Sequence, residues 1–219
     1  MTATLMKIQA YLKEKEGQEI DSITLAKQIM TIAHRTQRRE NGENYANHPY
    51  RCYQMYRHLL GLPEDESGTI DDSLLKEWEI PFEGVEEVCL LHDVIEDSDL
   101  CLSELRDIFA ACSLETYFDA WIKEPLSRVT HDKETPYDAY IDLVNKNPTS
   151  ALVKMLDLQD NLRVLDLVAL NQRNFHRSSN YLNYIYLIEE NYHFLEKFQG
   201  YRSTMRDKSC NFLTNTNKS

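Results

Sequence analysis

No segment of this chain alternates apolar and polar residues with a period of two. A half-buried strand needs that alternation, whereas a helix needs apolar residues three and four apart. The helical pattern recurs, first in Leu5, Ile8 and Leu12, then in Ile23, Ala26, Ile29, Met30 and Ala33. Only 6 Gly and 6 Pro interrupt 219 residues, which favours long helices and few tight turns. The pattern predicts an all-α, multi-helical bundle with no sheet of consequence. Helices are expected over 3–15, from a cap at Asp21 or Ser22 to about Arg39, and over 49–60, where Pro49 suits a first turn. More follow from about Glu83 and over 102–111, 113–129, 136–146, 148–170 and 178–198. Gly61, Pro63, Gly68 and Pro81, with acids between them, mark 61–81 as a polar excursion holding one short helix at 73–78. From Gly200 the chain turns polar, so residues 1–200 are expected as one domain and 201–219 as a frayed tail.

A chain 42% hydrophobic packs a core rather than staying disordered. Its net charge of −12 argues against a surface that wraps nucleic acid. Any anionic ligand must meet a local basic patch. No apolar run approaches the roughly 18 residues of a membrane span, and Met1–Ala10 lacks a signal-peptide pattern. Cys52, Cys89, Cys101, Cys112 and Cys210 are odd in number and form no C-x-x-C pair, as expected of reduced thiols. A soluble cytoplasmic protein without membrane contact is the expectation.

Chemistry concentrates in Leu90-Leu91-His92-Asp93-Val94-Ile95-Glu96-Asp97. An imidazole beside a carboxylate suits a divalent metal, and a second acidic pair one turn on can activate a water. On a continuous helix Glu96 shares a face with His92 and Asp93, while Asp97 is four residues after Asp93. One of the two would deprotonate water and the other assist the leaving group; spacing does not assign which. A solvated acidic helix end is the bland alternative, and it loses weight because further ligands are at hand. His48 stands where a loop enters a helix before Pro49. Asp157 breaks the apolar stripe Leu152, Val153, Leu156 and Leu158, a costly position unless the carboxylate is paired or coordinated. Two imidazoles and two carboxylates suit Mn²⁺, Fe²⁺ or Zn²⁺ better than Ca²⁺ or Mg²⁺, and Mn²⁺ best tolerates open positions for water and substrate.

The run His34-Arg35-Thr36-Gln37-Arg38-Arg39 lies just upstream of His48, with Lys133, Lys154, Arg163 and Arg177 elsewhere. Arginines gathered near a metal motif in an acidic chain point to phosphate recognition. Asn161 shares a helical face with Asp157.

Five segments in order resemble the HD-type hydrolase domain of the RelA/SpoT family, including its small stand-alone hydrolases. They are Ala33-His34-x-x-Gln37-x-Arg39, Gly42-Glu43-x-Tyr45-x-x-His48-Pro49, Leu90-Leu91-His92-Asp93-x-x-Glu96-Asp97, Val129-Thr130-x-Asp132-Lys133 and Val153-Lys154-x-x-Asp157-x-x-x-Asn161-Leu162-Arg163. The resemblance spans about 22–170. It implies an all-helical HD-domain bundle with one Mn²⁺, or another divalent transition metal, on His48, His92, Asp93 and Asp157. Glu96 and Asp97 would do the water chemistry. Arg39, Asn161, Lys133, Arg177 and Tyr181 would contact a small-molecule nucleotide. The implied reaction removes the 3′-pyrophosphate of (p)ppGpp, giving GDP or GTP and pyrophosphate.

The chain departs from the family pattern in the length of 61–81, in Phe109-Ala110 where Phe-Gly is usual, in an expanded 111–125 and in Glu40 where a basic residue commonly follows Arg39. After residue 170 a synthetase domain is not expected. The alternatives are an HD phosphohydrolase for another nucleotide or phosphoester, and a non-catalytic nucleotide-binding HD protein. The sequence does not encode an oligomeric state.

Overall fold

Helix follows helix along the chain in a computed structural model that describes residues 2–63, 70–165 and 172–216. The elements are α1 (Ala3–Glu14), α2 (Ser22–Ala33), α3 (Asn47–Leu59), α4 (Asp72–Glu77), α5 (Val85–Leu91) and α6 (Val94–Asp97). Then come α7 (Leu102–Ala111), α8 (Glu115–Tyr117), a π-helical turn (Phe118–Ile122) and α9 (Lys123–Val129). α10 (Tyr137–Val144), α11 (Pro148–Leu165), α12 (Gln172–Tyr192) and α13 (Phe194–Thr216) complete the order. The expected all-α class is what folds. Among the described residues extended pairing is limited to one bridge between Arg38 and Asn44.

Every residue of α5 is buried, and α2, α3, α9 and α11 pack around it. Gly84 opens it with φ +74, and a Cβ there would meet the Trp121 carbonyl oxygen at 2.5 Å. Only glycine fits both constraints. Of the two cap candidates for α2, Asp21 is the cap, accepting from the Thr24 amide at 2.8 Å.

Four expectations need correction. α2 does not run to Arg39 but ends at Ala33, because His34 is wholly buried and the chain then turns back through the Arg38–Asn44 bridge. The basic run is therefore a loop folded over the bundle. The His-Asp motif does not lie on one helix: α5 stops at Leu91, His92 and Asp93 form the joint, and α6 restarts at Val94. The helix expected over 178–198 starts at Gln172, and His193 at φ 53 divides it from α13. The chain beyond Gly200 does not fray but stays helical to Thr216. Phe194, Phe198 and Tyr201 lie on one stripe of α13 and are buried. Gly200, which looks like a breaker, is where α13 touches Trp78: a Cβ would come within 2.2 Å of the indole.

The 61–81 segment is described outside 64–69, the part that contains Gly68. Its short helix is present as α4, capped by Asp71, but Leu74, Leu75 and Ile80 belong to the main core.

Candidate metal centre

Three packed elements carry the four predicted ligands. His48 is the second residue of α3, His92 and Asp93 form the α5–α6 joint, and Asp157 lies on α11. His48, His92 and Asp157 are buried, while the side chain of Asp93 keeps 15% of its surface. His48 Nε2 lies 3.0 Å from Asp157 Oδ1, 3.3 Å from His92 Nε2 and 3.5 Å from Asp93 Oδ2. His92 Nε2 lies 3.3 Å from Asp93 Oδ1 and 3.7 Å from Asp157 Oδ1.

The hydrogen-bond partners fix the chemistry of this cluster. His92 Nδ1 faces the Cys89 carbonyl at 2.8 Å, and His48 Nδ1 faces Asp160 Oδ2 at 2.6 Å. Both partners only accept, so both Nδ1 atoms carry protons. With Nδ1 protonated, the lone pair of Nε2 is the one each ring can offer toward the other ring and two carboxylates. Four potential ligand atoms converge, an arrangement that needs a proton or a cation between them. Donors held about 2.1 Å from a divalent ion lie about 3.0–3.4 Å from one another, close to the spacings here. The residues fit a divalent cation.

The electrostatics agree. Burial works against a charged His92, yet Asp93 and Asp157 outweigh it and hold the ring well above the usual imidazole range. Burial also opposes charge on Asp157, but Lys154 and the histidines hold it well below ordinary carboxylates. Asp93 is lowered likewise, burial being outweighed chiefly by His92. A cation would replace the proton that these acids now demand. His48, Cys52 and His92 also offer ligand atoms within 4.8 Å of one another. Burial keeps the Cys52 thiol far above its normal range, so it stays protonated and a poor ligand.

A second layer surrounds the cluster. Lys154 Nζ and Asn161 Nδ2 each lie 2.7 Å from Asp157, on Oδ2 and Oδ1 respectively. Lys154 also sits 5.2 Å from the centre of the Tyr140 ring. Asp160, 1% exposed, accepts from Arg51 Nε at 2.6 Å, from Arg51 Nη2 at 2.9 Å and from Arg39 Nη1 at 3.2 Å. Sequence reasoning gave no role to Asp160, Arg51 or Tyr45, although Tyr45 stands in one of the matched segments. The available signal was an acid inside an apolar helix three residues after Asp157, and a tyrosine three before His48.

The remaining predicted residues differ in placement. Arg39 also donates to Asn161 Oδ1, so these two meet at the edge of the cluster. Asp97 is exposed and accepts from the Tyr45 hydroxyl at 2.7 Å. Glu96 accepts from the His131 amide at 3.1 Å, and burial raises its carboxyl above the ordinary range. Arg177 and Tyr181 meet on α12 at 3.5 Å, and Arg177 reaches Glu40, next to Arg39, at 3.4 Å. Lys133 is exposed in the turn after α9, while Lys154 is the lysine at the cluster.

No protein-family model matches the chain. The chain is 27% identical over 175 residues to the mouse guanosine-3′,5′-bis(diphosphate) 3′-pyrophosphohydrolase MESH1, covering 77% of this chain and 83% of that protein. The human protein of the same name matches with the same identity and coverage. A solved structure, described as a metazoan ortholog of SpoT that hydrolyses ppGpp and plays a role in starvation responses, superposes with a TM-score of 0.52 at 21% identity. The match covers 85% of this chain and 96% of that one. The chain has the all-helical fold of the HD-type hydrolases and is similar in sequence to their RelA/SpoT-type members.

Proposed function

We propose that this protein removes the 3′-pyrophosphate of (p)ppGpp by hydrolysis, giving GDP or GTP and pyrophosphate. The observation that carries the reading is the convergence of His48, His92, Asp93 and Asp157, with both Nδ1 atoms committed elsewhere and four potential ligand atoms facing one point. The names of the mouse and human relatives support the substrate. The four residues would hold the cation, and Mn²⁺ suits their mixed nitrogen and oxygen set with positions left for water and phosphate. Bound there, a divalent ion supplies Lewis acidity and lowers the pKa of water.

The chain's own groups supply the rest. Asp97, exposed and held by Tyr45, takes a proton from water as its oxygen bonds to the 3′ phosphorus. The P–O3′ bond breaks, and O3′ leaves with a proton from Glu96, whose carboxyl burial raises above the ordinary range. Asp97 returns its proton to Glu96 through solvent. Arg39, beside Asn161, and the Arg177–Tyr181 pair would meet the anionic substrate, in a chain whose overall charge repels it. We assign the activity to the cytoplasm, a compartment in which thiols such as Cys52 and Cys89 stay reduced.

Asp160 sets the tautomer and direction of His48. Asp160→Asn is expected to weaken Mn²⁺ binding about 10–100-fold without unfolding the chain, read by metal titration. Unchanged affinity would remove Asp160 from this role. The function itself is tested by offering ppGpp, NADPH, deoxynucleoside triphosphates and cyclic dinucleotides with Mn²⁺ and following released phosphate and pyrophosphate. Pyrophosphate from ppGpp is expected; turnover confined to another member of the panel would overturn the reading.

A further inference from the structure

Two motifs of the sequence, His34-x-x-Gln37 and the tyrosine three residues before His48, lie outside the proposed ligands and substrate contacts. They meet at Asp97. The Tyr45 hydroxyl lies 2.7 Å from Asp97 Oδ2 and 2.9 Å from Asp93 Oδ2. Gln37 Nε2 donates to the Asp97 carbonyl oxygen, and His34 Nδ1 lies 2.6 Å from Gln37 Oε1. The Asp97 carbonyl can only accept, and that fixes the amide: its NH₂ faces Asp97, so Gln37 Oε1 accepts from His34 Nδ1. His34 is wholly buried and its ring lies against Tyr45, centres 4.9 Å apart. Asp97 is therefore tethered twice, at its carboxylate and at its backbone, by groups from the loop after α2. Glu96, its neighbour, is instead tied to the His131 amide.

We propose that Tyr45, braced by the His34–Gln37 pair, is the positioning residue that sets the Asp97 carboxylate beside Asp93. The inference rests on the hydrolytic function proposed above. A phenol has one proton to give, and here two carboxylate oxygens compete for it. A cation held by Asp93 would take up that carboxylate's charge and leave the phenol proton for Asp97, fixing the oxygen that receives the proton of water. An exposed aspartate without such a tether would sample several rotamers, and misplacement of a base is costly in rate. The ring plays a separate part, because the Arg39 guanidinium lies 5.8 Å from its centre, a contact that phenylalanine preserves.

That separation makes the test specific. Tyr45→Phe removes the hydroxyl and keeps the ring against His34 and Arg39, while Gln37→Leu removes the backbone tether alone. Each purified variant is assayed for kcat and KM on ppGpp and for bound manganese by elemental analysis. The expected result is a kcat about 10–100-fold lower, with KM within about threefold of wild type and the ion content unchanged. Either variant with wild-type kcat overturns the inference, as does a loss that follows raised KM or lost manganese. A wild type that leaves ppGpp intact overturns the function first and this inference with it, so the two failures are distinguishable.

Discussion

Asp93→Ala is expected to strip the protein of its divalent ion and to lower kcat on ppGpp by at least ~10³-fold, beyond the loss caused by an outer-layer change. Asp93 brings one oxygen to 3.3 Å from His92 Nε2 and the other to 3.5 Å from His48 Nε2. It is also the acid that Tyr45 shares with Asp97. Removing it leaves two imidazoles and Asp157, which Lys154 already neutralises in part. Elemental analysis beside steady-state kinetics checks both consequences. Retained ion with retained turnover would mean that Asp93 is no ligand.

Phe198→Ala is expected to destabilise the protein by about 3–5 kcal/mol, the cost of emptying a buried aromatic position. The side chain is 1% exposed and stands edge-on to Tyr56, ring centres 6.4 Å apart. At roughly 2–4 °C of melting temperature per kcal/mol for a chain of this size, Tm should fall by about 10 °C. Denaturant titration measures it directly. A change of about 0.5 kcal/mol or less, typical of surface positions, would show that α13 does not belong to the core.

α13 also shows where sequence patterning runs short. Gly200 and the polar residues after it have the composition of a tail. What decides the outcome is a long-range contact, the indole of Trp78 lying against a position without a side chain, and no local window contains it. The end of α2 was hidden for a similar reason. Residues 34–39 have helical propensity enough to continue, but His34 is buried and Gln37 is drawn to Asp97 across the fold. Tertiary contacts override propensity at both places.

The ligand set was more legible because its physical signal is local. A carboxylate inside an apolar stripe, as at Asp157, has no cheap explanation, and an adjacent imidazole and acid at the end of an apolar run have few. The second layer was less legible. Asp160 works through His48, Arg51 and Arg39, whose positions relative to it depend on how α3 and α11 pack. Nor could spacing separate Glu96 from Asp97, since it assumed one helix through the motif. Both lie on α6 after the joint at His92–Asp93, and they reach different partners, the His131 amide and the Tyr45 hydroxyl.

The most direct measurement is a titration of Mn²⁺ into chelator-treated protein, following GDP and pyrophosphate made from ppGpp. The expected result is no turnover without metal, a rise that saturates near one ion per chain, and equal amounts of the two products. Full turnover in chelator, or orthophosphate in place of pyrophosphate, would contradict a hydrolase built on His48, His92, Asp93 and Asp157.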